Sequence, residues 1–185
     1  MNRLRFSRLR RIAPILVAML ALASSSCGFH LRDALSLPAD LGPVRVIAAD
    51  PYSPLAQSLV QALERAGATP APEGAGNEVS TLRVFSERFA DTSISVDQFG
   101  RSQEFSLRYA TVFALRRGGD GGFIVPRQAI ELSRDYVASP SDSLGKNSER
   151  ELLTRELRRE MTQAILRRID AASRISSSVP QTDTD

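Results

Sequence analysis

The sequence predicts an α+β domain: an antiparallel, meander-type sheet with two helices packed on one face, in the order β-α-β-β-β-α. Three observations predict it. Apolar and polar residues alternate with period two through long segments between Thr81 and Val137, joined by turns rich in glycine and aspartate. Apolar stripes at helical spacing lie on either side of that region, at Leu55 to Leu63 and at Leu153 to Ile169. Each stripe needs a surface to bury against, and one face of the sheet supplies it.

The elements follow in order. "VRVIA", Val44 to Ala48, is a short β-branched run and reads as a strand, with "ADPYSP" turning the chain after it. Ser53 and Pro54 suit the N-cap and the first helical position. Leu55, Leu59 and Leu63, flanked by Ala56, Val60 and Ala66, form the apolar face of the helix that follows, and Gly67 stops it. "ATPAPEGAGNE" has no periodicity and reads as a surface loop. "TLRVFSERF" and "TSISVD" form a long strand with an expected break near Ala90 and Asp91, and "DQFG" turns it, with Gly100 free to take positive φ. In "RSQEFSLRYATVFALR", Phe105, Leu107, Tyr109, Phe113 and Leu115 share one face, while Ser102, Glu104, Ser106 and Arg108 share the other. Ala110, Val112 and Ala114 make that second face apolar too, so cover on both sides is expected at this end. "RGGDGG" turns the chain into "FIVPRQAIELSRDYV", where Ile130, Leu132 and Tyr136 share a face. The last helix begins at a capping box, Ser148 to Glu151, and buries Leu153, Leu157, Met161, Ile165, Ala164 and Ile169. Arg167 and Arg168 suit its C-terminal end.

The N-terminus is a different kind of sequence. "MNRLRFSRLRR" carries five arginines and no acidic residue, and "IAPILVAMLALA" after it is far short of the roughly twenty apolar residues that span a bilayer. Together they read as an export signal. Small residues Ser24 to Ser26 lead into Cys27, the one cysteine of the chain, in the manner of a bacterial lipobox. A lone thiol serves no disulfide in an oxidising compartment, so Cys27 is expected to be the lipidated first residue of the mature protein. Gly28 follows it, where an aspartate would favour retention at the inner membrane, and this points to the outer membrane. The expected organisation is a signal peptide at 1–26, a lipid-anchored segment at 27–43, one domain at 44–172 and a disordered polar tail at 173–185. Of the 24 basic residues, the five in the signal leave 19 against 21 acidic ones, so the mature chain has a formal charge of −2. The basicity of the whole chain belongs to the signal, and no nucleic-acid partner is expected.

No catalytic constellation emerges. His30, the one histidine, stands three residues from the expected lipidated terminus, and without further His or Cys there is no zinc cluster and no Cys-His nucleophile pair. "GGDGG" lies between two strands and opens no helix, so it does not cradle phosphate. Glu131 and Asp135 alternate onto one strand face as surface charges commonly do. The expectation is a non-enzymatic binding or scaffolding protein with no catalytic residue, metal or cofactor.

Four segments then carry a family resemblance: "CGFHLRD", "DPYSP", "SVDQFGRSQEFSLRY" and "SRDYVASPSDSLGKNSERELLTRELRREMTQAILRRI". In this order and spacing they resemble the lipopolysaccharide-assembly lipoproteins of the LptE family, over most of the mature chain. The resemblance implies an outer-membrane lipoprotein that plugs the LptD β-barrel as a heterodimer, helps it fold, and binds lipopolysaccharide on its way to the outer leaflet. It implies two basic contacts to that ligand. Lys146 in "DSLGKNSE" matches one; the other falls on Gln98, and the nearest base is Arg101, just past Gly100. Lipid A phosphates call for Lys or Arg, so Lys146 and Arg101 are the candidate ligand residues. Two other classes share part of this pattern: an anchored accessory of a different outer-membrane machine without lipopolysaccharide binding, separated by its barrel partner, and an anchored serine hydrolase, separated by turnover of ester or glycan substrates.

Overall fold

A computed structural model of the chain describes residues 37–38, 41–137 and 143–178. The signal, Cys27, His30 and residues 179–185 lie outside the described residues. The elements are β1 (Val44–Ala48), α1 (Pro54–Arg65), β2 (Ser80–Val96), β3 (Ser102–Arg116), β4 (Phe123–Val137) and α2 (Ser143–Ser178). The order is the expected β-α-β-β-β-α. The four strands form one sheet in the order β1-β2-β3-β4.

The sheet is mixed, not antiparallel throughout. β2 to β4 form the expected meander, but β1 pairs parallel to β2, Val44 with Ser80 through Ala48 with Val84. The cause is connectivity: β1 reaches its neighbour through a helix, and a helical crossover returns the chain in the same direction. The two helices share one face. α1 packs on β1, α2 packs on β3 and β4, and the helices touch each other. Leu55, Leu59, Leu82, Leu107, Phe113, Leu157, Met161, Ile165 and Ile169 are fully buried between them. Each buried aliphatic side chain of this size contributes about 1.5–3 kcal/mol.

α1 begins and ends as its sequence suggests. The Ser53 hydroxyl accepts from the Ala56 N–H at 3.3 Å, Pro54 opens the helix, and Gly67 takes φ 91° beyond the last turn. Val60, expected on the apolar face, stands at its solvent edge and is 38% exposed.

β2 does not break at Ala90 and Asp91. Its register instead slips between Val84 and Ser86, and again between Ser93 and Val96. The first slip changes which parity faces the helices: Leu82 and Val84 point inward before it, Glu87 and Phe89 after it. Asp91 stays in the strand because its carboxylate has partners there, accepting from the Tyr136 hydroxyl at 2.8 Å and pairing with Arg150 at 3.4 Å.

α2 is longer than expected at both ends. Starting at Ser143, it places Ser148 to Glu151 inside the helix and not at its start. Two contacts with the sheet hold the added turn: Lys146 lies over Phe105, and Arg150 pairs with Asp91. Such tertiary contacts override local propensity. At the other end residues 173–178, expected in a disordered tail, are helical. Ser173 is buried and its hydroxyl donates to the Ile169 carbonyl at 2.8 Å, while Arg174 pairs with Asp170 at 3.2 Å. Arg167 and Arg168 therefore stand well before the helix end. Among the described residues no helix packs on the second sheet face, although Ala114 there is buried at 2% exposure.

Candidate functional site

Both sequence-nominated bases come to the same end of the sheet. That end holds the β2–β3 turn, the end of β4 and the beginning of α2. In the turn, Asp97 organises the backbone. Its carboxylate accepts from the Phe99 N–H at 2.8 Å, from the Arg101 N–H at 2.9 Å and from Arg101 Nε at 2.8 Å. Gly100 takes φ 75°, which closes the turn. The hydrogen bond from the Arg101 backbone, followed by that from its side chain, holds the Asp97 carboxyl below its ordinary value of 3.8. Arg101 is thus partly committed within its own turn. Its guanidinium also lies 5.2 Å from the Phe99 ring centre, and its side chain is 59% exposed, which leaves Nη donors open to solvent.

Lys146 sits differently. It is half-buried in the first turns of α2, with Nζ 3.4 Å from the centre of the Phe105 ring. The ring attracts the ammonium without neutralising it, so the charge remains available to an anion. Phe105 in turn stacks on Tyr136, centres 5.4 Å apart. Burial first, then its hydrogen bond to Asp91, pushes the Tyr136 hydroxyl up to about 12. A continuous group results: Lys146 on Phe105, Phe105 on Tyr136, Tyr136 on Asp91, Asp91 on Arg150. Phe105 stands four positions after Arg101, about 13 Å along the chain at strand rise. Gln98, exposed in the turn, brings no charge.

Sequence reasoning missed Arg150, Phe105 and Tyr136 as surroundings of Lys146. The available signal was register: Phe105 pairs with Tyr136 across β3 and β4, so both present the same face to whatever covers it. A second polar group lies deeper. Glu87 accepts from the Tyr109 hydroxyl at 2.7 Å and from the Ser53 hydroxyl, and lies 3.9 Å from Arg158 Nε. Tyr109 stacks flat on Phe89 at 4.0 Å, and burial followed by the Glu87 bond raises its hydroxyl far above the ordinary range. This group ties the α1 N-terminus to β2, β3 and α2. Glu131 faces Arg108 at 3.7 Å on the helix-free side of the sheet, as a surface ion pair. Among the described residues no group of three or more metal-ligating side chains forms, and no helix is long and apolar enough to cross a membrane.

A mixed sheet backed by two helices, with Lys146 and Arg101 beside aromatic rings at one end, defines a small α+β domain of the lipoprotein-like kind. The comparisons with known proteins make this particular. The model of the LptE family, described as lipopolysaccharide-assembly, matches residues 41–169, and the chain belongs to that family. The LPS-assembly lipoprotein LptE of Photorhabdus laumondii is 29% identical over 159 residues, covering 86% of this chain and 85% of that protein. Its counterpart in Yersinia pestis is 28% identical over 160 residues, covering 86% and 75%. Among solved structures, the rare lipoprotein B of Shewanella oneidensis superposes with a TM-score of 0.64 at 25% identity, over 75% of this chain and all of that one. A lipoprotein B of Nitrosomonas europaea, solved by NMR, shows the same fold with a TM-score of 0.64 at 22% identity, over 82% and 94%.

Proposed function

We propose that this protein is anchored in the outer membrane through a lipid on Cys27, plugs an LptD-type β-barrel as one half of a heterodimer, and binds lipopolysaccharide as it passes to the outer leaflet. Family membership supports the lipopolysaccharide-assembly role, and lipoprotein relatives support the anchor. One observation carries the ligand site: Lys146 and Arg101, far apart in sequence, stand at the same end of the sheet with their cationic groups beside aromatic rings. A phosphorylated glycolipid offers phosphates to the cations and acyl or sugar surface to the rings. Lys146 is the principal contact, and Arg101 the secondary one because Asp97 already engages its Nε.

Lipopolysaccharide binding by the full chain tests this directly. Lys146→Asp should weaken binding more than Arg101→Asp, and the pair together should weaken it by about tenfold or more, roughly 1.4 kcal/mol. Added salt should weaken binding by the parent protein, since exposed charges are screened within about 8 Å at physiological ionic strength. A double variant that keeps its circular dichroism and binds as tightly as the parent contradicts this assignment.

A further inference from the structure

The helix-free face of the sheet carries a cleft that the reading above does not use. It lies where β1 and β2 begin and β3 ends, away from the β2–β3 turn, and encloses about 360 Å³. Its floor is two adjacent cross-strand rows. Arg45, Thr81 and Arg116 form one, in register across β1, β2 and β3; Ile47, Arg83 and Ala114 form the other. The backbone therefore sets Arg45 and Arg116 two strand spacings of about 4.8 Å each apart, with Arg83 on the strand between them in the next row, and all three side chains line the cleft. Like charges so placed repel one another.

Among the described residues nothing acidic lines the cleft beside them. Among the same residues Arg45, Arg83 and Arg116 form no ion pair. Two of them are nevertheless held in place. Arg45 donates to the carbonyls of Ala75 and Gly76 at 2.7 and 3.1 Å, and Arg116 donates to the carbonyl of Gly119 at 3.1 Å. Each guanidinium has five N–H donors, so both keep donors to spare. The rest of the wall mixes the polar Asn77 and Arg117 with an apolar stretch of Ile47, Phe85 and Phe123, the last 60% exposed. Arg83 and Arg127 lie 5.8 and 4.5 Å from the centre of the Phe85 ring, so two cations approach that ring.

We propose that this cleft binds a phosphate-bearing amphiphile, with the phosphate on Arg45, Arg83 and Arg116 and the apolar chain along Phe85 and Phe123. Preoriented, uncompensated guanidinium groups select a tetrahedral anion with several acceptor oxygens. The adjoining aromatic wall selects a ligand that carries apolar surface beside that anion, and the enclosed volume lies in the small-ligand range of roughly 300–1,000 Å³. This site is separate from Lys146 and Arg101, and neither proposal depends on the other.

The test uses the full chain in neutral dodecyl maltoside, titrated by calorimetry with dodecyl phosphate and with inorganic phosphate. Dodecyl phosphate should saturate one site and bind about tenfold or more tighter than inorganic phosphate. Arg83→Glu with Arg116→Glu should weaken it by at least about tenfold, and the single changes Arg83→Gln and Arg116→Gln should each weaken it if the double variant does not fold. Lys146→Asp with Arg101→Asp should leave it unchanged, which separates failure here from failure of the proposed lipopolysaccharide contacts. Inorganic phosphate binding as tightly as the amphiphile would mark a bare anion site and overturn the proposal. Displacement by polyglutamate below the probe's own concentration would mark an acidic-protein docking face and overturn it equally. So would arginine variants that bind dodecyl phosphate like the parent.

Discussion

At the scale of single residues, carboxylates organise both polar groups of this domain. Asp97 holds the turn that presents Arg101, and its folded pKa is depressed, chiefly by the Arg101 backbone N–H. A depressed carboxylate pKa means that its contribution is complete above the unfolded value and is lost as pH falls through the folded one. The turn should therefore stay ordered down to pH 3.8 and loosen only below it. Amide shifts of Phe99, Gly100 and Arg101 followed by NMR should move together with a midpoint below that value; a midpoint above it contradicts the bonding described. Glu87 plays the corresponding part in the interior, where Ser53 and Tyr109 are both buried and both donate to it. Replacing it by alanine strands two hydroxyls and should cost about 1–3 kcal/mol in denaturant unfolding. Glu87→Gln keeps acceptor capacity and should cost less.

At the scale of elements, much of the fold is legible because local chemistry and tertiary demand agree. Ser53, Pro54 and Gly67 bound α1 as cap, first residue and stop, and Asp97 with Gly100 turns β2 into β3. The stripe Leu157, Met161, Ile165 and Ile169 is legible for the same reason: each is fully buried against the sheet. Ile165→Ala should accordingly cost about 2–5 kcal/mol, read as a shift in denaturant midpoint with unchanged slope. A cost below about 0.5 kcal/mol, the range of exposed positions, contradicts the packing of α2. What the sequence concealed was decided between elements. The parallel pairing of β1 follows from its helical crossover, which alternation within one strand does not reveal. The register slip at Phe85 was hidden because both faces of β2 carry apolar residues there. The true start of α2 was masked by a plausible capping box at Ser148, and contacts of Lys146 and Arg150 with the sheet moved it back to Ser143. The candidate site was legible in part, since Lys146 was found through family resemblance while its aromatic bed on Phe105 and Tyr136 required the β3–β4 register.

At the scale of the whole molecule, the described domain has one face backed by helices and one without them, and the two proposed sites draw on bases at separate places. Lys146 and Arg101 stand at the turn end, and Arg45, Arg83 and Arg116 line the bare face beyond. A domain that works inside a barrel needs polar surface around most of its perimeter, because barrel lumens are lined by polar side chains and water. The exposed ion pairs Arg108–Glu131 and Arg134–Glu160, on opposite faces of the sheet, provide polar surface of this kind. Such pairs add little stability to the free domain, typically below about 1 kcal/mol, and in the proposed complex they would be free to exchange partners with a barrel wall. The proposal that this family member works as the stable companion of an outer-membrane barrel is therefore an intermolecular one. The most direct measurement is affinity purification of the full chain from detergent-extracted outer membranes, with the mass of the intact complex determined. A one-to-one complex with an LptD-type barrel is the predicted result. Recovery of the protein free of any barrel, with normal barrel levels and folding after its depletion, would contradict the account.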